Sequence, residues 1–364
     1  MFNLTSISAD TFVAHWPKRS HNEGLIAMLA IGVALLCGVL SGHEAAGAIA
    51  AGGAFTVGFA VFYPVLESPI LSMIVATLSI ASATFAGSLS AEWTFAVMLV
   101  VAVAGLNYGL LSGLGASAGW IGQQSAVYLV IATYFPNGPR QAAGRAAMIL
   151  LGGLLQIAIH LAFRTPVLPE RGTPLWKVTL VRLRDYCRRL PEHMAWGSET
   201  LSYAARLLCT MVAATALYRG MHLRNGYWVP MTALLVLKPQ WTGTLSRSFA
   251  RVFGTLSGAL IAYGLAQWHH WPLAVLGVLV MLAALGCYAL QAVNYALFSL
   301  SITLYIVFLF RFGGFSETAA AHMRLLNTAI GGGIALLLDS LWKLLHLGMQ
   351  NEAQPAQAEM RGSE

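Results

Sequence analysis

Residues 226–264 read GYWVPMTALLVLKPQWTGTLSRSFARVFGTLSGALIAYG and decide the fold. The first apolar run ends at Lys238, whose ammonium can reach lipid headgroups, and the proline that follows cannot continue a helix. The second run opens with Arg251 and carries Gly254 and Gly258 four positions apart, a spacing that lets another membrane helix approach closely. The stretch therefore predicts a hairpin of two membrane helices joined by a basic connector.

The composition of the whole chain agrees with a membrane protein. Hydrophobic residues make up 57% of the sequence and charged residues only 10%, against about 25% charged in soluble domains, and the mean hydropathy is +0.68. The net charge of +7 is read by position and needs no nucleic-acid partner. The cysteines have neither metal-site nor disulfide spacing, so we expect no cofactor and no metal; they are Cys37, Cys187, Cys209 and Cys287.

Twelve apolar segments are long enough to suggest membrane spans. They lie near residues 24–42, 46–64, 69–88, 93–111, 116–134, 145–163, 202–219, 225–238, 251–268, 272–289, 291–310 and 324–343. We predict an all-α integral membrane protein with about twelve transmembrane helices in two six-helix halves and no large soluble domain. Its predicted parts are a cytoplasmic N-terminal segment (1–23), a first membrane half (24–163), a cytoplasmic linker (164–200), a second membrane half (201–345) and a disordered tail (346–364).

The linker and the loops set the orientation. Residues 177–190, KVTLVRLRDYCRRL, predict an amphipathic helix on the cytoplasmic leaflet, with a plain linker as the alternative. With the N-terminus inside, most lysines and arginines outside the spans fall on the cytoplasmic side. We therefore expect both termini in the cytoplasm.

Similar residues recur in the two halves. Arg145 with Gly152 corresponds to Arg324 with Gly331, and both pairs are separated by 179 positions (324 − 145 and 331 − 152). Asn107-Tyr108 and Asn294-Tyr295 recur at a separation of 187, and Tyr63-Pro64 and Lys238-Pro239 each end the second span of a half. An even number of spans in each half predicts parallel repeats related by an axis along the membrane normal.

The region 226–264 resembles the core of the fusaric-acid-resistance-like (FUSC) membrane family, which is grouped with the aromatic acid exporters and is distantly related to plant malate channels. The residues that carry the resemblance are Tyr227, Trp228, Pro230, Lys238, Pro239, Thr244, Arg247, Arg251, Gly254, Thr255 and Gly258. Family members often carry a large soluble domain, which the short linker here does not provide.

The resemblance implies an inner-membrane transporter that exports aromatic or other organic acid anions and related toxic compounds, with the proton gradient as the expected driving force. A passive organic-anion channel and a non-transporting scaffold or assembly partner are the alternatives. The implied partners are an organic acid, membrane lipid and a periplasmic adaptor protein, and a homo-oligomer is compatible with the sequence. We expect no enzyme, because the chain has no P-loop, nucleophile elbow or zinc-protease motif.

The candidate substrate-binding residues are mostly cations. Lys238, Arg247 and Arg251 either gather anions electrostatically or only obey the positive-inside rule. Arg206, about one turn inside the seventh span, either binds an anion or snorkels to the interface. Arg145 and Arg324 either flank an outer vestibule symmetrically or anchor helix ends.

Aromatic and titratable residues complete the set of candidates. Tyr227, Trp228, Asn294 and Tyr295 could line an aromatic path, with the interfacial aromatic belt as the alternative. Proton coupling needs a titratable group within the membrane. The candidates for that role are Asp339, His160, Glu92 and Glu44.

Overall fold

The structure is a computed structural model that describes residues 13–18, 20–135, 138–164, 184, 188, 191, 195, 197–268, 271–314 and 317–361. For residues 266–268, 317–322 and 346–361 it describes the backbone only. The amphipathic helix predicted at residues 177–190 lies outside the described residues apart from Arg184 and Arg188.

The described chain forms twelve α-helices, one for each predicted span. They are α1 (Asn22–Leu40), α2 (Glu44–Gly58), α3 (Pro69–Ser90), α4 (Thr94–Gly113), α5 (Ala116–Ala132), α6 (Pro139–Phe163), α7 (Glu199–Gly220), α8 (Trp228–Val236), α9 (Trp241–Trp268), α10 (Leu273–Leu290), α11 (Tyr295–Phe312) and α12 (Glu317–Arg361). A 3-10 turn at Trp16–Lys18 precedes α1, and another at Phe59–Phe62 extends α2.

Ten of these helices are long and apolar enough to cross a membrane, and the protein is an all-α integral membrane protein, as predicted. The shorter ones are α5, with 17 residues, and α8, with nine. His222 and Asn225 have positive φ angles of 50° and 52° in the turn before α8. These angles are not helical, so the helix begins only at Trp228. Pro239 disfavours helical backbone at the residue before it, so α8 ends early.

The last helix is longer than predicted. The backbone of α12 is helical to Arg361, whereas the sequence predicted a disordered tail over residues 346–364. Residues 351–361 contain several Ala, Gln and Glu residues, which are good helix formers, and also Pro355, which disfavours a helix interior. Extending an existing helix also avoids the cost of nucleating a new one. The polar composition of residues 346–364 led to the prediction of disorder, because it reflects neither helix propensity nor growth from an existing helix.

The two halves pack in the same way. In the first half α2 and α3 both pack against α6, and α3 and α4 both pack against α5; in the second half α8 and α9 pack against α12, and α9 and α10 pack against α11. Between the halves, α4 packs on α7 while α10 packs on α1, and α5 contacts α8 while α11 contacts α2. A shift of six helices maps every one of these contacts onto another, as a pseudo-twofold axis requires. The predicted division into two six-helix halves agrees with this packing, and the parallel orientation of the halves stays a prediction.

Glycines make the closest equivalent contacts. A Cβ atom at Gly152 would collide with the carbonyl of Ala50 on α2, and one at Gly331 would collide with the carbonyl of Val229 on α8. Ala50 and Val229 are themselves separated by 179 positions (229 − 50). The predicted close approach at Gly258 also occurs, because a Cβ there would lie 2.7 Å from the Leu300 carbonyl of α11.

One predicted repeat pairing is wrong. Asn107 and Tyr108 lie inside α4, whose counterpart is α10, while Asn294 precedes α11 and Tyr295 begins it. At the common offset of 179, the position of α10 that matches Tyr108 is Cys287 (108 + 179), next to Tyr288. The separation of 187 differed from the common offset, and that difference placed the two dipeptides on non-equivalent helices.

Candidate anion site in the central cavity

A cavity of about 630 Å³ lies between the two halves. Its wall comes mainly from α2, α5, α8 and α11, and between the halves α5 contacts α8 while α11 contacts α2. Side chains of α9 and α6 close it at opposite ends. A pocket of this size between repeats of a membrane protein is a natural place for a solute to bind.

Three cations line one end of the cavity: Lys238, Arg247 and Arg251. The backbone turns between α8 and α9, and the amide of Lys238 donates to Thr244 Oγ1 at 3.0 Å, which fixes that turn. Arg247 and Arg251 are four residues apart on α9 and therefore share a helical face. These three cations thus face the cavity rather than only the membrane surface.

Aromatic rings and amides surround these cations. The guanidinium carbon of Arg247 lies 4.1 Å from the ring centroid of Tyr295, and the rings of Tyr63 and Trp120 stack with centroids 5.2 Å apart. Gln123 lines the same region and donates to the Tyr108 hydroxyl at 3.1 Å. Amide donors and ring faces beside cations suit a carboxylate attached to a ring.

The residues of α5 in this wall were missed by the sequence analysis. Trp120, Gln123 and Gln124 belong to the stretch GWIGQQ within an apolar span. Two adjacent glutamines inside a membrane segment are costly unless they face a partner or a cavity. That signal was present in the sequence and would have identified this face of α5.

The middle of the cavity is apolar and aromatic. Phe55 of α2 and Tyr305 of α11 line it and stack directly on each other with centroids 4.1 Å apart. The Tyr128 hydroxyl donates to the Gly52 carbonyl at 2.7 Å, so its polar end is satisfied within the wall. A solute that crosses this zone exchanges water for ring faces, which favours aromatic over purely polar solutes.

Arg145, Phe135, Tyr227 and Trp228 line the other end. Arg145 Nη1 donates to Ser88 Oγ at 3.1 Å and to the Phe135 carbonyl at 2.9 Å. Its guanidinium carbon also lies 5.3 Å from the Phe135 ring centroid. Tyr227 and Trp228 therefore belong to the cavity wall, as the aromatic-path hypothesis proposed, and both are almost fully buried.

The charge of the wall has one sign. Arg145, Lys238, Arg247 and Arg251 line the cavity, and no Asp, Glu or His does so among the residues that the structure describes. In surroundings of low dielectric constant, cations attract an anion more strongly than they would in water. The cavity is therefore electropositive at both ends and aromatic between them.

The predicted symmetry of Arg145 and Arg324 does not extend to the cavity. Arg145 lines the wall, whereas Arg324 lies behind Trp228, with its guanidinium carbon 4.1 Å from a Trp228 ring centroid. The side chain of Arg324 is only 1% exposed. The hypothesis of two arginines flanking one vestibule is wrong for Arg324, because in the second half an aromatic helix end stands between the arginine and the cavity.

Arg206 also lies outside the cavity wall. Its Nη1 is 2.5 Å from Asp339 Oδ1, and its Nη2 donates to the Pro239 carbonyl at 2.9 Å. The side chains of Arg206 and Asp339 are 12% and 1% exposed. The structure thus joins two candidates that the sequence treated separately, and it places them in an ion pair between α7 and α12.

The other proton-coupling candidates lie away from the cavity as well. His160 Nδ1 is 3.5 Å from Glu23 Oε2, and Glu23 also pairs with Arg164 at 2.9 Å. Glu92 is exposed in the turn between α3 and α4, and Glu44 begins α2. None of these residues lines the cavity in the described part of the chain.

The side chain of Asn294 forms hydrogen bonds with two backbone groups. Its Oδ1 accepts from the Leu297 amide at 2.9 Å, which caps the N-terminus of α11. Its Nδ2 donates to the Val13 carbonyl at 2.8 Å and holds the N-terminal segment against the loop before α11. Tyr295, the next residue, is the one that lines the cavity.

Comparison with known proteins finds a family match in the second half. Residues 209–338 match the family model described as "Fusaric acid resistance protein-like". This range contains the stretch 226–264 and most of α7 to α12, and the match bears out the family resemblance predicted from the sequence.

Three curated bacterial proteins match less than half of the chain. The inner membrane protein YccS of Escherichia coli (strain K12) is 31% identical over 155 residues, which are 42% of this chain and 21% of YccS. An uncharacterized protein of Haemophilus influenzae is 28% identical over 160 residues (43% and 22%), and the uncharacterized protein ORF2 of Neisseria gonorrhoeae is 26% identical over 155 residues (41% and 37%). The chain thus spans well under half the length of these relatives. No solved structure matches it significantly.

Proposed function

We propose that this membrane protein, whose second half is fusaric acid resistance protein-like, exports organic acid anions, aromatic carboxylates above all, through the cavity between its halves. The observation that carries the proposal is the wall of four cations and many aromatic rings, with no acidic side chain among the described residues. A cation-selective or sugar-binding cavity would need the opposite charge or many more hydroxyl groups. The inner membrane is the proposed location, in keeping with the name of YccS.

The proposed path begins at Lys238, Arg247 and Arg251, at the end predicted to face the cytoplasm. These cations attract the carboxylate, while the rings of Trp120 and Tyr295 accept the aromatic body of the solute. The solute then passes the ring faces of the middle zone and leaves beside Arg145. Rocking of one half against the other about the pseudo-twofold axis would open the two ends in turn.

Proton coupling is part of the proposal and acts at Arg206 and Asp339. Protonation of Asp339 would remove its charge and release Arg206 from the ion pair, which loosens α12 from α7. The second candidate function, a passive anion channel, is favoured by one observation: within the described wall no titratable acid or histidine faces the solute.

The test is uptake of labelled p-hydroxybenzoate into inverted membrane vesicles, with and without an imposed proton gradient. We expect gradient-dependent accumulation in the wild type and an uptake at least about tenfold lower in Arg251→Gln, because a desolvated charge contact is worth ~1.4 kcal/mol or more. The matched control is Arg140→Gln, since Arg140 is exposed and outside the cavity.

Two other outcomes decide against the exporter. Equilibration without accumulation, still lost in Arg251→Gln, would assign the passive channel. Uptake equal to that of vesicles without the protein, for a panel of aromatic and aliphatic carboxylates, would leave the scaffold as the better account.

A further inference from the structure

Arg324 of α12 is a buried arginine whose charge is not balanced by a nearby carboxylate. Its side chain is 1% exposed, and its Nε donates to Thr303 Oγ1 at 3.3 Å. Its Nη1 and Nη2 are buried without a hydrogen-bond partner. In the part of the chain that the structure describes, no carboxylate lies within salt-bridge distance of this guanidinium.

The neighbouring groups do not neutralise the charge. A ring centroid of Trp228 lies 4.1 Å from the guanidinium carbon of Arg324, and this cation–π contact offsets only part of the cost of burying the charge. The Thr303 hydroxyl donates to the Ser299 carbonyl at 2.8 Å and accepts from Arg324, so it brings no negative charge. Tyr227, whose ring centroid is 4.9 Å from that of Trp228, carries a buried hydroxyl that also lacks a partner.

The equivalent arginine of the first half shows the contrast. Arg145 is partly exposed and lines the cavity, and its Nη1 donates to both Ser88 and the Phe135 carbonyl. Arg324 has the same place in the repeat but is separated from the cavity by Trp228. An isolated buried charge is strongly unfavourable unless a counterion or hydrogen-bonding groups accompany it.

We propose that Arg324 holds a small monovalent inorganic anion, such as chloride, inside the second half between α8, α11 and α12. The anion accepts hydrogen bonds from the free Nη1 and Nη2 of Arg324 and lies on the side of Trp228 that faces away from the cavity. The enclosed position and the tryptophan in front of it exclude an aromatic carboxylate. The site is a counterion site within the protein and is separate from the proposed transport path.

The test is thermal unfolding of the purified full-length protein in lipid nanodiscs, with sodium chloride replaced stepwise by sodium gluconate at constant ionic strength. In the wild type the Tm should rise with chloride and saturate, because an anion that binds only the folded state stabilises it by mass action. In Arg324→Met the Tm should not depend on chloride. In Arg140→Met, the matched control at an exposed arginine outside the cavity, the dependence on chloride should equal that of the wild type.

Equilibrium dialysis with radioactive chloride gives a direct measurement on the same proteins. Arg324→Met should bind chloride at least about tenfold more weakly than the wild type. If Arg324→Met does not fold, Arg324→Lys keeps the charge but has one donor nitrogen in place of three, and it should retain weakened binding.

Three results would overturn the proposal. One is a chloride dependence of Tm that is equal in the wild type and in Arg324→Met. Another is a wild-type Tm that is independent of chloride. The third is Arg324-dependent stabilisation by benzoate but not by chloride, which would assign the arginine to the transported carboxylate instead.

Discussion

The first and last helices of each half are joined by a contact between an acidic and a basic side chain, but the acid and the base exchange places between the two halves. In the first half the acid, Glu23, is on α1 and the base, His160, is on α6. In the second half the base, Arg206, is on α7 and the acid, Asp339, is on α12. His160 and Asp339 are 179 positions apart, the offset of the repeat (339 − 160). The contact between the first and last helices therefore lies at an equivalent place in both halves. Which of the two helices carries the acidic side chain differs between the halves.

The walls of the cavity differ between the halves in the same manner. At the basic end the second half contributes Lys238, Arg247 and Arg251, while the first half contributes Tyr63, Trp120 and two glutamines. On the proposed path, the second-half side would attract charge and the first-half side would accept rings. A symmetric scaffold with asymmetric walls would thus provide both functions at one end of the cavity.

The largest expected effect concerns the close glycine contacts that the two halves have in common. Gly152→Ala and Gly331→Ala should each abolish most folded protein, because a methyl group would collide with a backbone carbonyl that cannot move aside. The measurement is the monodisperse fraction in fluorescence-detected size-exclusion chromatography. Gly144→Ala and Gly333→Ala are the controls, since nothing lies within 4 Å of either position. If one glycine tolerates alanine and its counterpart does not, the halves are not packed equivalently.

The next effect tests where the halves differ. Asp339→Asn should lower the free energy of unfolding by about 3 kcal/mol, because it leaves the buried Arg206 unpaired. Glu23→Gln should cost only about 1 kcal/mol, because Arg164 is 43% exposed and can turn to water. Denaturation of both variants in detergent micelles provides the comparison.

A double variant sharpens that result. Arg206→Met combined with Asp339→Leu removes both charges and should recover most of the stability lost in Asp339→Asn. Equal destabilisation by Glu23→Gln and Asp339→Asn would contradict the asymmetry of the two pairs.

A smaller effect concerns the side of the cavity that the first half contributes, which includes Trp120, Gln123 and Gln124. Gln124→Lys adds a cation to the first-half side of the cavity and should lower the half-saturating concentration of p-hydroxybenzoate in vesicles by up to about tenfold, whereas Gln124→Glu should raise it. Gln141→Lys and Gln141→Glu are the controls, because Gln141 is exposed. A shift that is the same for both signs of charge would show that the wall does not sense the anion.

The smallest effect concerns a helix cap that is present in the second half and absent at the equivalent place in the first. Asn294 caps α11, while the residue at the equivalent place before α5 is Gly115, 179 positions earlier (294 − 115), which makes no side-chain cap. Asn294→Ala should therefore cost about 1 kcal/mol of stability. Thermal unfolding would detect it, and an unchanged Tm would show that the cap contributes nothing measurable.

Much of the fold was predictable because lipid imposes length and apolarity on each segment. Every predicted span contains one helix, and the glycine pairs at Gly152 and Gly331 identified the repeat correctly. The pairing of Asn107 with Asn294 failed because identical dipeptides at another offset lie on unrelated helices. Helical register, which decides such matches, requires a constant separation.

The site was predictable only in part. Arg247 and Arg251 were placed correctly on a common face by their spacing of four. The partner of Arg206 was not predictable, because Asp339 is 133 positions away and only the packing of α7 on α12 brings the two together. Arg145 and Arg324 look alike in sequence, and their different surroundings come from Phe135 and Trp228, which belong to other elements.

The shortness of α8 has an electrical consequence. Nine residues cover about 14 Å, roughly half of a hydrocarbon layer of ~30 Å. Because nine residues cannot cross that layer, the backbone after Val236 would leave its helix inside it, which is tolerated where the backbone lines a water-filled space. On the proposed path, water would reach Lys238, and the transmembrane voltage would fall over the remaining aromatic zone rather than over the full thickness. An anion on that path would cross most of the potential, ~2.3 kcal/mol per 100 mV, in a single short step.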